Sequence, residues 1–413
     1  MINIPKGTKD ALPQDSHAFL TLESKAREVA RLFNLNEIRT PTFEHTELFL
    51  RGVGDTTDIV GKEMYTFLDK GERSITLKPE GTAGVARAYI ESGMDRNASL
   101  PVKMYYITPV FRYERPQSGR LREHHQFGVE LYGSPEAQTD AEVVEIAKTM
   151  LDSVGITETK LYINSIGCPE CRKRYNEALR NFLADNIANM CRDCKERYDK
   201  NPLRILDCKE EGCKQINKGA PKIIEYLCDD CASHFESFKS ALDEVGIEYQ
   251  VNPNIVRGLD YYTRSVFEFV TEVDKLTVCG GGRYDNLVTM LGGRPTPAVG
   301  FGMGLERLMM VAEREGSDLG KPNAPQIYIA TLSDAQSSTA RKLVYDLRKQ
   351  GIASECDLMA RSLKAQMKYA GRIGAEYVTV LGDDEIATGV LEVKRMADGE
   401  CKKVKIDELT SIF

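Results

Sequence analysis

No apolar run in this 413-residue chain approaches the length needed to span a bilayer. Its N-terminus, MINIPKGTKD, lacks the apolar stretch of a signal peptide, so a cytoplasmic location is expected. Histidine is scarce: there are five, none set in a triad arrangement, and no G-x-S-x-G elbow occurs. Catalysis through a nucleophilic side chain is therefore not expected. The glycine-rich stretches CGGGRYDNLV and GFGMGLERL carry neither a Walker-type lysine nor a helix-opening G-x-G-x-x-G, which excludes a P-loop and a dinucleotide fingerprint. A net charge of -7 argues against non-specific wrapping on nucleic acid but permits a local basic surface.

The composition, 42% hydrophobic and 28% charged, is that of a soluble globular protein, and the length suits two or three domains. Residues 16–33 fit a helix with Ser16 as N-cap and Phe19, Leu22, Ala26, Val29 and Leu32 on one face. EIRTPTFEHTELFL reads as a strand broken by Pro41, which belongs at an edge or an interface. Residues 101–134 read as two strands joined by a long polar loop, and residues 140–154 return to helical periodicity. From Gln326 the pattern becomes strand, helix, strand, helix, strand and a hairpin turning at Asp398-Gly399, a separate small α/β domain.

Cysteine is abundant, with eleven residues, eight of them between Cys168 and Cys231. They run Cys168, Cys171, Cys191, Cys194 and then Cys208, Cys213, Cys228, Cys231, in pairs with two or four residues between them. In a reducing compartment such pairs bite tetrahedral zinc, and eight ligands would serve two ions. Redox-labile thiols or small buried hydrophobes are the alternatives. The surrounding segment, 165–245, is mostly helical in pattern and looks like an insertion. Cys279, Cys356 and Cys401 read as packing residues.

RGLDYYTRSVFEFV places a guanidinium, a carboxylate and two phenols at the mouth of a strand, as a pocket for a small anionic molecule would require, or a satisfied surface turn. Arg112, Arg115, Arg120 and Arg122 crowd one hairpin, offset only by Glu114 and Glu123; such forks suit a polyphosphate. Arg307 falls in the first turns of a helix after a glycine-rich strand. Glu80 and Thr82 open a helix, as caps or as ligand-binding groups. Arg361, Lys364, Lys368 and Arg372 form a basic helical stripe opposite Leu363, Met367, Ala370 and Ile373, a solvated face or a nucleic-acid surface.

FRYERP with HQFGVE resembles motif 2 of the class II aminoacyl-tRNA synthetases, GFGMGLERL resembles motif 3, and the Pro41 region resembles motif 1, which builds a dimer interface. RGLDYYTRSVFEF and GGRYDNLV resemble the two signature peptides of the histidyl branch. The resemblance covers essentially the whole chain. It implies an α+β fold: an antiparallel catalytic sheet with flanking helices over 1–164 and 246–320, the Cys-rich insertion over 165–245 and an anticodon-binding α/β domain over 325–413. It implies a homodimer that uses ATP with Mg2+ to attach L-histidine to tRNA(His) through histidyl-adenylate.

By the same resemblance Arg257 faces the α-phosphate, Arg112 holds it from the other side, Arg307 clamps the γ-phosphate, and Glu114 lies near the adenine. Arg120 belongs to the ATP site and, with Gln117, faces the tRNA acceptor end. Glu80, Thr82 and Gln126 match the group holding the amino and carboxylate ends of histidine. Glu130 and Tyr262 match the pair reading the imidazole, with Tyr261 and Tyr284 lining the pocket. The C-terminal basic stripe falls in the anticodon domain, and the insertion resembles a helical domain closing over the acceptor stem. Lys78 stands where arginine is usual, His124-His125 is slightly off pattern, and the eight cysteines depart from a family that does not in general need zinc. The rival reading is a synthetase-like regulatory subunit of ATP phosphoribosyltransferase, which binds histidine without charging tRNA and is expected to lose catalytic arginines and the anticodon domain.

Overall fold

The computed structural model describes every residue except Met1, Asp55, Thr56, Asp58 and Ser118. It divides into two compact units, Met1–Gly320 and Lys321–Phe413. The first is built on an eight-stranded sheet in the order Asn36–Glu37, Val102–Phe111, Glu123–Tyr132, Ala298–Gly304, Thr277–Arg283, Thr263–Thr271, Thr159–Ser165 and Gln250–Val251. The six long strands are antiparallel to one another, and the two short edge strands pair in parallel.

Strand alternation decides which face of this sheet does what, because successive side chains point to opposite sides. Phe127, Val129, Leu131, Phe267, Phe269, Val299, Phe301 and Met303 share one face and form a single core with the helices Ser16–Leu32, Ala137–Ser153, Asp229–Glu244 and Leu305–Arg314. The intervening positions are Gln126, Gly128, Glu130, Glu268, Gly300, Gly302 and Gly304. They lie on the opposite face, where Met104, Tyr106, Tyr132, Val266 and Ala298 pack in a second core beside these polar and glycine positions. That face is the floor of a cleft.

Several local expectations change. TELFL does not extend a strand: residues Phe43–His45 pair in a small separate sheet and Thr46–Val53 is a helix. Leu48, Phe49, Gly52 and Val53 are buried at helical spacing, and that apolar face overrides the strand propensity around Pro41. In the first helix Leu32 is exposed, Ala18 and Ala30 are buried instead, and Ser16 makes no side-chain cap. The second unit has the expected alternation, with a five-stranded sheet whose last two strands, Val390–Arg395 and Cys401–Lys405, form the hairpin. Cys279 and Cys356 are buried as packing residues, but Cys401 is exposed.

Candidate active site

The glycines on the cleft face are there because catalytic-type side chains lie flat across them. A Cβ on Gly280 would collide with the Arg257 guanidinium, one on Gly302 with the Gln126 amide, and one on Gly300 with the Glu130 carboxylate. Gly81 and Gly128 make the same allowance for the ring of Tyr106. The close packing at these glycines is that of side chains into a site.

At one end the cleft is lined by Arg112, Arg120 and Arg307, drawn from the long hairpin and the helix that follows Gly304. Arg307 Nε donates to the Gly119 carbonyl and Nη1 to the Thr277 carbonyl, both at 2.8 Å, so its fork is fixed by backbone. Burial, and then the charge of Arg120, pull its pKa below the ordinary arginine value. Arg112 Nε donates to the Pro79 carbonyl at 2.7 Å. Arg120 Nη1 donates to Glu114 Oε2 at 3.1 Å. Three guanidiniums share one cleft with Glu114 as their nearest counter-charge, an arrangement that asks for a polyanion.

Midway lies Arg257, largely buried and ion-paired with Glu268, its guanidinium 5.5 Å from the Tyr262 ring centre. Burial pulls its pKa down, but the charge of Glu268 and the neighbouring phenol of Tyr262 outweigh that and leave it raised. Its Nε is buried with no partner among the described residues.

The far end is a small chamber of phenols around one carboxylate. Glu130 is fully buried and accepts from Thr82 Oγ1 at 2.6 Å, from Tyr106 OH at 3.3 Å, and from Tyr284 OH. Burial pushes its pKa up to about 8. Tyr261 and Tyr262 line the cleft just above, and the Tyr261 hydroxyl is buried without a hydrogen-bond partner among the described residues. Glu80 accepts from the backbone N–H groups of Thr82 and Ala83 at 2.7 and 2.8 Å, so it both caps the helix Thr82–Glu91 and lines the cleft.

The structure thus brings together Glu80, Thr82, Arg112, Glu114, Arg120, Gln126, Arg257, Tyr261, Tyr262 and Arg307 around one cleft, with Glu130 and Tyr284 beneath it. Gln117 sits in the tight turn with Arg120, beside the cleft. Sequence reasoning missed three groups. His124 lines the cleft and is held neutral, its pKa near 3 through burial and the charges of Arg112 and Arg307. Glu306 accepts from the backbone N–H of His125 at 2.9 Å and bonds its Nδ1 at the same distance, tying motif 3 to the hairpin. Arg283, fully buried, anchors the base of the site through Asp140 and Asp285, and His234 also bonds Asp140, at 2.7 Å. Lys78 is buried too, donates to the Thr40 carbonyl at 3.2 Å, and has its pKa lowered by burial to about 8.

In the second unit, the helix Leu363–Arg372 exposes Lys364, Lys368 and Arg372. Arg361 is not on that helix: it precedes it, ion-paired with Asp357 and stacked 4.4 Å from the centre of the Tyr369 ring. The inward face is Gln366 and Ala370, with Leu363, Met367 and Ile373 only partly buried. The eight cysteines fall into two groups of four, Cys168, Cys171, Cys228, Cys231 and Cys191, Cys194, Cys208, Cys213.

A model of the family described as histidyl-tRNA synthetase matches residues 7–308, and one described as an anticodon binding domain matches residues 326–413. A curated histidine–tRNA ligase from Acetivibrio thermocellus is 55% identical over 411 residues, covering 98% of each chain. The crystal structure of apo S. aureus histidyl-tRNA synthetase aligns over 100% of both chains at 39% identity with a TM-score of 0.85. An ATP phosphoribosyltransferase regulatory subunit/histidyl-tRNA synthetase from Bacillus halodurans C shares the fold, with a TM-score of 0.67 at 24% identity over 92% of this chain and 98% of that one. With its cleft, its second unit and its full-length relatives in agreement, the chain belongs to the histidyl-tRNA synthetase family.

Proposed function

We propose the division of labour below for a reaction that family membership settles: ATP-dependent attachment of L-histidine to tRNA(His) through histidyl-adenylate. A histidine carboxylate oxygen attacks the α-phosphorus of ATP. The bond from that phosphorus to the α,β-bridging oxygen breaks and pyrophosphate leaves with the electron pair. A ribose hydroxyl of the terminal tRNA adenosine then attacks the histidyl carbonyl carbon and AMP leaves.

Positioning and charge stabilisation carry both steps. Arg257, whose buried Nε has no partner among the described residues, meets the charge that grows on the α-phosphate, and Arg112 meets it from the hairpin side. Arg307 and Arg120 hold the β,γ-phosphates at the end of the cleft where the guanidiniums crowd, and Glu114 faces the adenine. Mg2+ enters as part of MgATP, and Glu306 is the lining carboxylate that would hold it beside the phosphates. Glu80, Thr82 and Gln126 orient the amino and carboxylate ends of histidine. Glu130 and Tyr262 read the imidazole, Tyr261 and Tyr284 close around it, and an analogue without ring nitrogens leaves buried partners unpaired.

The catalytic part is 1–164 with 246–320, the insertion 165–245 closes over the acceptor stem with Gln117 and Arg120 at the acceptor end, and 325–413 binds the anticodon. On that last domain Lys364, Lys368 and Arg372 face the RNA; Arg361 keeps a structural role beside Asp357. The eight cysteines hold structural zinc. The enzyme works as a cytoplasmic homodimer through the Pro41 region; no helix among the described residues is long and apolar enough to cross a membrane.

The observation that carries this reading is the convergence of Arg112, Arg257 and Arg307 on the cleft that ends at Glu130. The regulatory-subunit alternative has less support, because those arginines and the anticodon-binding domain are present. Charging of a tRNA(His) transcript with histidine and ATP tests it. Charged tRNA supports the assignment, and histidine binding without charging returns the chain to the regulatory reading.

A further inference from the structure

Two groups of thiols lie outside the cleft, and their arrangement is nested: Cys191, Cys194, Cys208 and Cys213 all fall within the chain between Cys171 and Cys228. Within each group the four Sγ atoms lie within 4.8 Å of one another, and none is in a disulfide. Cys168 and Cys171 are 3.5 Å apart and Cys191 and Cys208 3.7 Å. Four bonds of about 2.3 Å to one tetrahedral ion set sulfurs about 3.8 Å apart. Cys168, Cys191 and Cys228 each stand at the N-cap of a helix, so the second cysteine of each pair, one turn on, faces the same point. The backbone N–H of Cys228 donates to Cys171 Sγ at 3.1 Å and that of Cys191 to Cys213 Sγ at 3.3 Å, donors suited to thiolate charge.

The two inner helices of the insertion lean on such centres. In the helix Arg192–Lys200 the buried residue is Cys194, and in Glu211–Asn217 it is Cys213. Helices this short, with almost no apolar face, are marginal by themselves. Yet between them sits a segment that touches the site. Asn201 Nδ2 donates to Asp260 Oδ1 at 2.8 Å and Arg204 Nη1 to the Gly258 carbonyl at 3.1 Å. The outer group grips the same loop: Arg172 Nη1 donates to the Asp260 carbonyl at 3.4 Å, and Arg264 N to the Gly167 carbonyl at 3.0 Å, one residue before Cys168. Gly258 and Asp260 lie between Arg257 and Tyr261.

We propose that each group of four cysteines binds one zinc ion, and that the inner ion, by ordering the segment from Asn201 to Arg204, positions the loop 257–262 for histidine. Zinc is thereby a positioning element of the adenylation site rather than a staple remote from it. The second half of this proposal rests on the synthetase reading above.

Zinc content of the purified full-length enzyme, measured by mass spectrometry, is expected to be two per chain. The double variant Cys194→Ser with Cys208→Ser should hold one. The double variant Asn201→Ala with Arg204→Ala, which touches no ligand, should keep two zinc ions. It should raise KM for histidine about tenfold while KM for ATP moves little, the effect of losing two hydrogen bonds that position the loop. Fewer than two zinc ions in the native enzyme, or iron in their place, overturns the metal assignment. Two zinc ions with an unchanged histidine KM in Asn201→Ala/Arg204→Ala overturns the coupling. If the cysteine variant fails to fold, the alanine pair still decides. Zinc is counted without any activity, so failure of the metal sites and failure of the synthetase reading are separable.

Discussion

Glu130→Gln separates what a side chain does for the fold from what it does for the substrate. The Glu130 pKa is raised by burial from 4.5 to about 8. In the unfolded chain the carboxyl ionises near 4.5, but the folded site holds its proton until about pH 8. The unfolded state therefore binds fewer protons across that window, and stability falls as pH rises through it. A shift of this size corresponds to about 5 kcal/mol lost in full above pH 8 and almost absent below pH 4.5. Glutamine cannot ionise and escapes the loss. It gives up part of the bonding with Thr82, Tyr106 and Tyr284, at about 1–2 kcal/mol, so the variant should be more stable than the native protein at pH 8.5 by about 3 kcal/mol. The two should be close at pH 5. Denaturant unfolding across this range reads the difference directly. The same variant should lose at least about a hundredfold in histidine-dependent pyrophosphate exchange, because an amide replaces the buried carboxyl group that pairs with the imidazole. A stability difference that does not change with pH between 5 and 8.5 would refute the reasoning about burial.

Three further outcomes follow. Gly280→Ala should lower exchange by about tenfold or more with a near-native melting temperature, since the new Cβ displaces the Arg257 guanidinium. Asp140→Asn should cost about 3–5 kcal/mol in denaturant unfolding, because it leaves Arg283, which is fully buried, short of its charge partner. Lys364→Glu with Lys368→Glu should weaken tRNA charging several-fold and flatten its salt dependence while leaving pyrophosphate exchange intact; an equal fall in exchange would contradict a role confined to RNA.

Contiguous motifs were legible because their residues act together in space. Arg112 and Glu114 ride one hairpin, and Arg257, Tyr261 and Tyr262 one loop. The glycines of GFGMG and CGGG could not be read as a floor, because only strand pairing reveals that Gly300 lies opposite Glu130. Arg283, Asp140 and His234 left no signal: a buried charge network joins residues 94 and 143 positions apart and imposes no period on either segment. Spacing likewise cannot choose among partitions of eight cysteines, and the nested one became visible only when the helices Pro169–Ala184 and Asp229–Glu244 were seen to meet at Cys171 and Cys228. The helix Thr46–Val53 was available in the spacing of Leu48, Phe49 and Val53, but Pro41 and its β-rich surroundings drew attention to the wrong period.

The most direct test of the account is ATP–pyrophosphate exchange run with each of the twenty amino acids, with Arg257→Ala alongside. Exchange supported by histidine alone, falling by about a thousandfold in the variant, is the predicted result. Exchange with another amino acid, or a variant as active as the native chain, would contradict the roles given to Glu130 and Arg257.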